Sequence, residues 1–324
     1  MKAIVCRELG GPETLELREI TLPPPAPNEV RIQVAAAGVN FPDTLQIAGK
    51  YQFKATPPFT PGAEVSGVIT AVGAKVTAFQ VGDRVATLIP IGGYAEEVNA
   101  HADGVLKLPD SFDLIEAAGF TLVYGTTIHA LKQRGQLKAG ETLLVLGAAG
   151  GVGLSAIQIG KLMGARVIAA ASSAEKLALC KAQGADEVID YTKESLKEAV
   201  KKLTRGQGAD VIYDPVGGEL AQDCFSAINW NGRYLVIGFA AGTIPEIALN
   251  RLLLKGAAAL GVFWGAFVVR EAKLNAENFA QLFAWHAEGK LKPFISKQYP
   301  LANAADAMND LLARKVTGKA VLVP

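Results

Sequence analysis

Gly147, Gly150, Gly151 and Gly153 stand between a continuously apolar run, Leu143 to Leu146, and the residues Leu154, Ile157, Gln158, Lys161 and Leu162 at helical spacing. The order is strand, glycine turn, helix. Without a Cβ, glycine permits backbone angles and close approaches that other residues block, so an anion can rest on bare amides. The first amides of the following helix have no internal partner, and the helix dipole makes that end attractive to negative charge. The chemistry this offers is the seating of a dinucleotide pyrophosphate. The spacing, GxxGGxG, meets the general GxGxxG fingerprint only loosely, and a purely structural glycine turn is the alternative. A membrane span is a further alternative, because the nineteen residues between Glu141 and Lys161 carry no charge. Five glycines together with Ser155 and Gln158 make that stretch a poor lipid-facing helix.

The second strand of such a site selects the dinucleotide. An Asp or Glu at its end accepts the ribose hydroxyls in an NAD site. Here Ala169, Ala170 and Ala171 are followed by Ser172 and Ser173, with Lys176 one turn into the next helix. These donors suit a 2′-phosphate, and charge-assisted contacts contribute roughly 1.5–3 kcal/mol each. The residues therefore predict NADPH over NADH, with a solvated helix lysine as the alternative for Lys176.

Other chemistry is poorly represented. Cys6, Cys180 and Cys224 are scattered and lack metal-ligand spacing, which argues against a disulfide framework and a zinc site and for a reducing cytosol. His101, His129 and His286 occur singly and read as structural, so no metal site is expected. No YxxxK pair, no triad and no carboxylate pair is apparent. With 32 basic and 31 acidic residues the net charge is +1, and no basic cluster marks a nucleic-acid footprint. The Lys197–Arg205 stretch reads as a solvated helix face. MKAIVCREL enters a strand-like alternation at once, so no targeting segment is expected ahead of it, and no membrane association.

The elements that must position these residues follow from pattern. At 324 residues and 50% hydrophobic content, two domains with ample cores are the natural expectation. Residues 1–122 are β-rich, with strands predicted at Lys2–Arg7, Leu15–Glu19, Glu29–Ala36, Glu64–Val72 and Arg84–Leu88, and a proline connector at Pro23–Pro27. Phe112 to Ala130 reads as helical. Strands at Thr142–Leu146, Arg166–Ala171, Glu187–Asp190, Asp210–Asp214, Arg233–Ile237 and Ala258–Val262, most separated by helical patterns, describe a doubly wound parallel sheet. The expected organisation is a first domain over 1–122, a dinucleotide-binding domain over 123–265, and a return to the first domain over 266–324.

At this point the sequence resembles the zinc-free quinone oxidoreductase branch of the medium-chain dehydrogenase/reductase superfamily. The motifs are GVNFPDTLQIAGKY at 38–51, PGAEVSGVITAVG at 61–73, VGDRV at 81–85, TLVYGTTIHAL at 121–131, AAGGVG at 148–153, DPVGG at 214–218 and GRYLVIGFAAG at 232–242. The resemblance covers essentially the whole chain and implies an α/β fold: a Rossmann doubly wound parallel sheet plus a GroES-like, β-rich catalytic domain. Zinc-dependent relatives carry a Cys at the position of Asn40 and a His at that of Ala63, and the structural-zinc lobe is absent here. Zinc requires three or four ligands, and these cannot be assembled. Without a Lewis acid to polarise an alcohol, the expected direction is reduction of an acceptor that takes hydride readily.

The resemblance also implies individual roles. Asn40 and Thr127 would lie near the nicotinamide half, Gly150, Gly151 and Val152 at the pyrophosphate, and Tyr191 near the 2′-phosphate. Val216, Phe239 and Ala240 would line the strand ends, with Phe263, Trp264, Gly265 and Lys319 completing the cofactor contacts. Phe239, Phe263 and Trp264 could equally be core aromatics. On the acceptor side, expected in the cleft between the domains, Asn40 would donate to the carbonyl and Tyr51 would donate a proton or stack. Asp43 would orient the loop or simply cap it. Leu45 and Ile47 stand where better-known relatives have a tyrosine and an arginine, which implies a more apolar pocket. The leading expectation is an NADPH-dependent quinone reductase. Reduction of enone or enal double bonds, and a NADPH-binding protein with little turnover, are the alternatives. The apolar run Ala258–Val262, placed at a sheet edge, suggests a homodimer.

Overall fold

The structure is a computed structural model describing residues 1–324, and the chain divides into two compact units. The first comprises Met1–Leu122 and Pro293–Pro324 and the second Val123–Lys292. In the first unit, β1 (Lys2–Cys6) pairs with β2 (Leu15–Glu19) as a small antiparallel sheet. A seven-stranded sheet is built from β3 (Glu29–Val39), β4 (Glu64–Val72), β5 (Arg84–Leu88), β6 (Glu97–His101), β7 (Val105–Lys107), β14 (Ile295–Pro300) and β15 (Lys319–Val323). Its order is β14-β15-β3-β4-β5-β7, with β6 on β3.

Strand β3 shows why this sheet forms. Val30, Ile32 and Val34 point into the core while Glu29, Arg31 and Gln33 alternate outward, so pairing in any register shifted by one residue would expose the apolar set. After β3 the chain turns into a short helix, Phe41–Ile47, entered from an extended Asn40 with Pro42 in the first turn. Its inward positions are Asp43, Thr44, Gln46 and Ile47.

The second unit holds β8 (Thr142–Val145), β9 (Arg166–Ala171), β10 (Glu187–Asp190), β11 (Ala209–Asp214), β12 (Ile228–Val236) and β13 (Ala258–Gly261). All neighbours are parallel, in the order β10-β9-β8-β11-β12-β13. Renumbered within the unit this is 3-2-1-4-5-6, the doubly wound order, and the direction of winding reverses between β8 and β11. Leu143, Leu144, Val145, Val167, Ile168 and Ala169 are fully buried, as strands covered on both faces require. The helix Gly151–Leu162 lies close against the sheet: a Cβ on Gly160 would sit 2.6 Å from Leu143 Cδ2.

The segment 266–292 departs from expectation. It belongs to the second unit, and the chain returns to the first only at Pro293. The reason is its packing. Phe267, Phe279 and Leu282 are buried, His129 and Phe267 stack at 3.9 Å, and Gln133 and Asn278 exchange amide hydrogen bonds at 2.9 and 3.2 Å. The helix expected over Phe112–Ala130 is interrupted, with helices at Leu114–Ala117 and Thr121–Ile128 followed by a π-helical turn, His129–Arg134. No helix is long and apolar enough to cross a membrane.

Candidate functional site

The glycine turn lies at the carboxyl end of β8, beside the reversal in sheet order, where open parallel sheets bind their ligands. Gly147 has φ +54, and a Cβ there would come within 2.9 Å of Val216 Cγ2. At Gly153 a Cβ would meet Gly147 O at 2.5 Å and Ala148 Cα at 2.6 Å. Side chains at these two positions would disrupt the turn. Gly150 caps the helix Gly151–Leu162 in extended conformation, leaving the amides of Gly151 and Val152 at the helix start.

The opposite rim is the DPVGG loop. Asp214 is buried, and its Oδ1 accepts from Val216 N at 2.7 Å and Gly217 N at 2.9 Å, while Oδ2 accepts from Tyr234. Ala240 N and Ala241 N donate to Pro215 O and Val216 O at 3.0 and 2.9 Å, which lays the Phe239–Ala241 segment along this rim. Gly147, Gly150, Gly151, Val152, Val216, Phe239 and Ala240 thus belong to one cradle.

A second cluster forms at the ends of β9 and β10. Asp190 pairs with Ala171 across the ladder, and Tyr191 N donates to Ala171 O at 3.3 Å, which brings Tyr191 beside Ser172. Ser173 caps the helix Ala174–Ala182, its Oγ accepting Lys176 N at 3.3 Å. Asp190, at the end of β10, has Oδ1 2.6 Å from Thr192 Oγ1, while its Oδ2 lies 3.2 Å from Lys193 Nζ without a hydrogen bond. The cradle requires glycine where it curves, and β9 ends without an acid, in hydroxyls followed by a helix that carries a lysine. This donor set fits a dinucleotide bearing a 2′-phosphate.

Thr127, expected at the nicotinamide, is fully buried instead, bonded to Ser155 Oγ at 2.7 Å and Tyr213 Oη at 2.9 Å. Trp264 likewise turns inward. Its Nε1 donates to Asn275 Oδ1 at 3.1 Å, and its ring lies over Gly125, where a Cβ would be 2.4 Å away. Trp264 is a core aromatic because an indole with a buried hydrogen-bond partner gains area and satisfaction together. Phe263 and Gly265, on either side of it, are exposed.

In the first unit, Asn40, Asp43, Glu64, Tyr94 and Lys319 form a buried polar cluster. Glu64 Oε2 accepts from Asn40 Nδ2 and Lys319 Nζ, each at 3.0 Å, and its Oε1 accepts from Leu122 N at 2.8 Å. Lys319 Nζ also donates to Asn40 Oδ1 at 2.5 Å and Val39 O at 3.3 Å. Both polar ends of Asn40 are therefore engaged within the protein, its amide also reaching Gly38 O at 3.3 Å. Lys319, expected among the cofactor contacts, lies in this cluster: a buried ammonium needs a counter-charge, and Glu64 supplies it.

Asp43 Oδ2 accepts from Asn40 N and from Tyr94 Oη, both at 2.9 Å, so its carboxylate secures the start of the helix Phe41–Ile47 rather than facing a substrate. Burial pushes that carboxyl up to about 6. Tyr51, half-buried and held by Leu45 O at 3.2 Å, has its phenol raised by burial and then by the charge of Asp43. It retains its proton and, unlike Asn40 and Asp43, has a partly exposed side chain. Ile47 is fully buried in the core and is no pocket wall; Leu45 remains partly exposed.

Sequence reasoning passed over Glu64, Tyr94, Ser155, Tyr213 and Asp214. The available signal was a charged or hydroxyl residue inside an otherwise apolar strand or helix, as in AEVSGVI and DVIYDPV.

No group of three or more His, Cys, Asp or Glu is placed to hold a metal ion. The family described as "Zinc-binding dehydrogenase" matches residues 151–285, and the "Alcohol dehydrogenase GroES-like domain" matches 26–110. A quinone oxidoreductase-like protein 2 homolog of Nematostella vectensis is 40% identical over 324 residues, covering 99% of this chain and 88% of that protein. The human quinone oxidoreductase is 37% identical, covering 100% of this chain and 98% of its own. The crystal structure of Escherichia coli quinone oxidoreductase complexed with NADPH superposes with a TM-score of 0.93 at 30% identity, over 100% of both chains. Matched along its length in sequence and in fold, the chain belongs to the zinc-free quinone oxidoreductase branch of the medium-chain dehydrogenase/reductase superfamily.

Proposed function

We propose that this protein is an NADPH-dependent reductase of quinones that works without a metal ion. The observation that carries the cofactor half is the end of β9, which closes on Ala171 with no Asp or Glu there to claim a ribose 2′-hydroxyl and passes into Ser172, Ser173 and the helix that carries Lys176, with the Tyr191 amide bonded to Ala171 O. Gly150, Gly151 and Val152 would hold the pyrophosphate, and Val216, Phe239 and Ala240 the far rim. Bound NADPH supplies the hydride.

The protein's own residues hold the reactants and deliver a proton. Tyr51, whose phenol stays protonated far into alkaline pH, is the donor best suited to the reduced acceptor. The Asn40–Glu64–Lys319 cluster holds the loop that carries it rather than touching substrate. Tyr51 also favours the second reading, reduction of an enone or enal double bond, because that reaction needs a proton placed on carbon after hydride addition.

The experiment is NADPH oxidation with 1,2- and 1,4-quinones, enones and enals, with products identified, and the same panel run with NADH. Turnover of quinones with NADPH preferred over NADH is the expected result. Efficient turnover of enals to saturated aldehydes with no quinone activity would replace the first reading by the second. Tight NADPH binding without turnover of any acceptor would overturn both.

The homodimer is proposed on two features of the second unit. Strand β13 lies at the sheet edge with no strand beyond it, and Ile244, Leu249, Leu253 and Leu254 are exposed, Leu253 at 79%.

A further inference from the structure

Thr127, Ser155 and Tyr213 form a chain of hydroxyls in the second unit, each fully shielded from solvent. Thr127 Oγ1 lies 2.9 Å from Tyr213 Oη and 2.7 Å from Ser155 Oγ. Ser155 Oγ in turn lies 3.0 Å from Val152 O and 3.3 Å from Val123 O. A hydroxyl has one proton to donate, and the Ser155 end meets only carbonyls. One direction therefore uses every proton: Tyr213 donates to Thr127, Thr127 to Ser155, and Ser155 to a backbone carbonyl.

The two ends of this chain fall on the two rims of the cradle. Val152 is in the first turn of the glycine helix. Tyr213 immediately precedes Asp214, which binds the amides of Val216 and Gly217. The β8–β11 ladder fixes the strand ends against each other, but the helix Gly151–Leu162 leaves the sheet, and apolar packing along its buried face has little directional preference. Directional bonds from Ser155 supply what packing lacks.

We infer that Thr127, Ser155 and Tyr213 are positioning residues for the dinucleotide, holding the glycine turn at a fixed spacing from the Asp214–Gly217 loop. The inference rests on the NADPH reading above. All three are closed to solvent, and they act through Val152 and Asp214. A cradle that closes on one pyrophosphate tolerates little slack, since small displacements of a binding constellation weaken it steeply.

The test is titration of the full chain with NADPH, followed by nucleotide fluorescence, together with thermal melts of the same preparations. Thr127→Val leaves the Tyr213 hydroxyl buried without an acceptor, so it is expected to melt earlier and to bind NADPH about tenfold more weakly. Thr127→Ser keeps the chain and should match the wild type in both measurements. The double variant Thr127→Val with Tyr213→Phe leaves no hydroxyl unpaired, so its melting temperature should recover while its Kd stays raised. A Kd that recovers with the melting temperature reduces the chain to a stability feature and overturns the inference. So does a Kd within twofold of wild type in both variants. If Thr127→Val does not fold, Tyr213→Phe alone, which strands no buried donor, is read the same way. A wild-type chain that binds no NADPH overturns the functional reading itself and this inference with it, an outcome distinct from wild-type binding that the variants leave unchanged.

Discussion

Asp43 offers a direct measurement of what burial costs this fold. Its carboxyl has no lysine or arginine bonded to it; its Oδ2 accepts one backbone amide and one phenol, and the charged groups facing it are Glu64 and Lys319, with Tyr94 and Tyr51 as neutral neighbours. Burial raises it from 3.8 to about 6, only partly offset by the two hydrogen bonds and Lys319. Because the folded-state value is the higher one, the folded protein binds the proton more tightly than the unfolded chain. The stabilisation is complete below the unfolded value and is lost as pH rises through about 6. A displacement of this size corresponds to ~3 kcal/mol in full, of which about 1.5 kcal/mol falls between pH 5 and pH 8.

Asp43→Asn removes the charge and keeps a carbonyl oxygen with two lone pairs for Asn40 N and Tyr94 Oη. Urea unfolding of both proteins at pH 5, 6, 7 and 8 reads the effect. The stability of the variant relative to wild type should grow by about 1.5 kcal/mol across that range, with the steepest change at the acid end, between pH 5 and pH 6, and little above pH 7. Taking the difference cancels other groups that titrate identically in both proteins. A flat difference, or one that shrinks with pH, would show that Asp43 is not held as a desolvated carboxyl, and the account of this cluster would fall.

Other outcomes follow from the same geometry. Lys176→Ala should raise the KM for NADPH about tenfold or more and leave that for NADH unchanged, in line with the loss of one charge-assisted phosphate contact; steady-state kinetics with both nucleotides decides it. Lys319→Met strands the Glu64 carboxylate in the core and should cost ~3–5 kcal/mol of stability in chemical denaturation, whereas the same change at a surface lysine such as Lys193 should cost under about 1 kcal/mol. Leu253→Asp places a charge in the exposed leucine patch and should convert a dimer to a monomer by light scattering. A wild type that is already monomeric at micromolar concentration removes the dimer.

What the sequence determined by itself was whatever depends on residues close together along the chain. The glycine turn, the acid-free strand end at Ala171–Ser173 and the alternation in β3 are local patterns, and all six strands of the parallel sheet lie where apolar runs place them. Tyr191 was reached by resemblance, and the register of β9 and β10 sets it beside Ser172.

Burial partners decided the rest, and these come from remote segments. Asn40 and Lys319 lie 279 positions apart, Glu64 and Lys319 255, and Thr127 and Tyr213 86. No local pattern tells a lysine near the C terminus that its counter-charge waits at the start of β4, or turns Trp264 toward Asn275 rather than a ligand. Ile47 shows the same limit within one helix. At 100° per residue, the face that carries Asp43, Thr44 and Ile47 into the core leaves Leu45 partly exposed, and only the packed structure shows which face that is. A polar side chain becomes a ligand contact or a core strut according to which groups surround it once the chain has closed, and the sequence does not carry those neighbours in order.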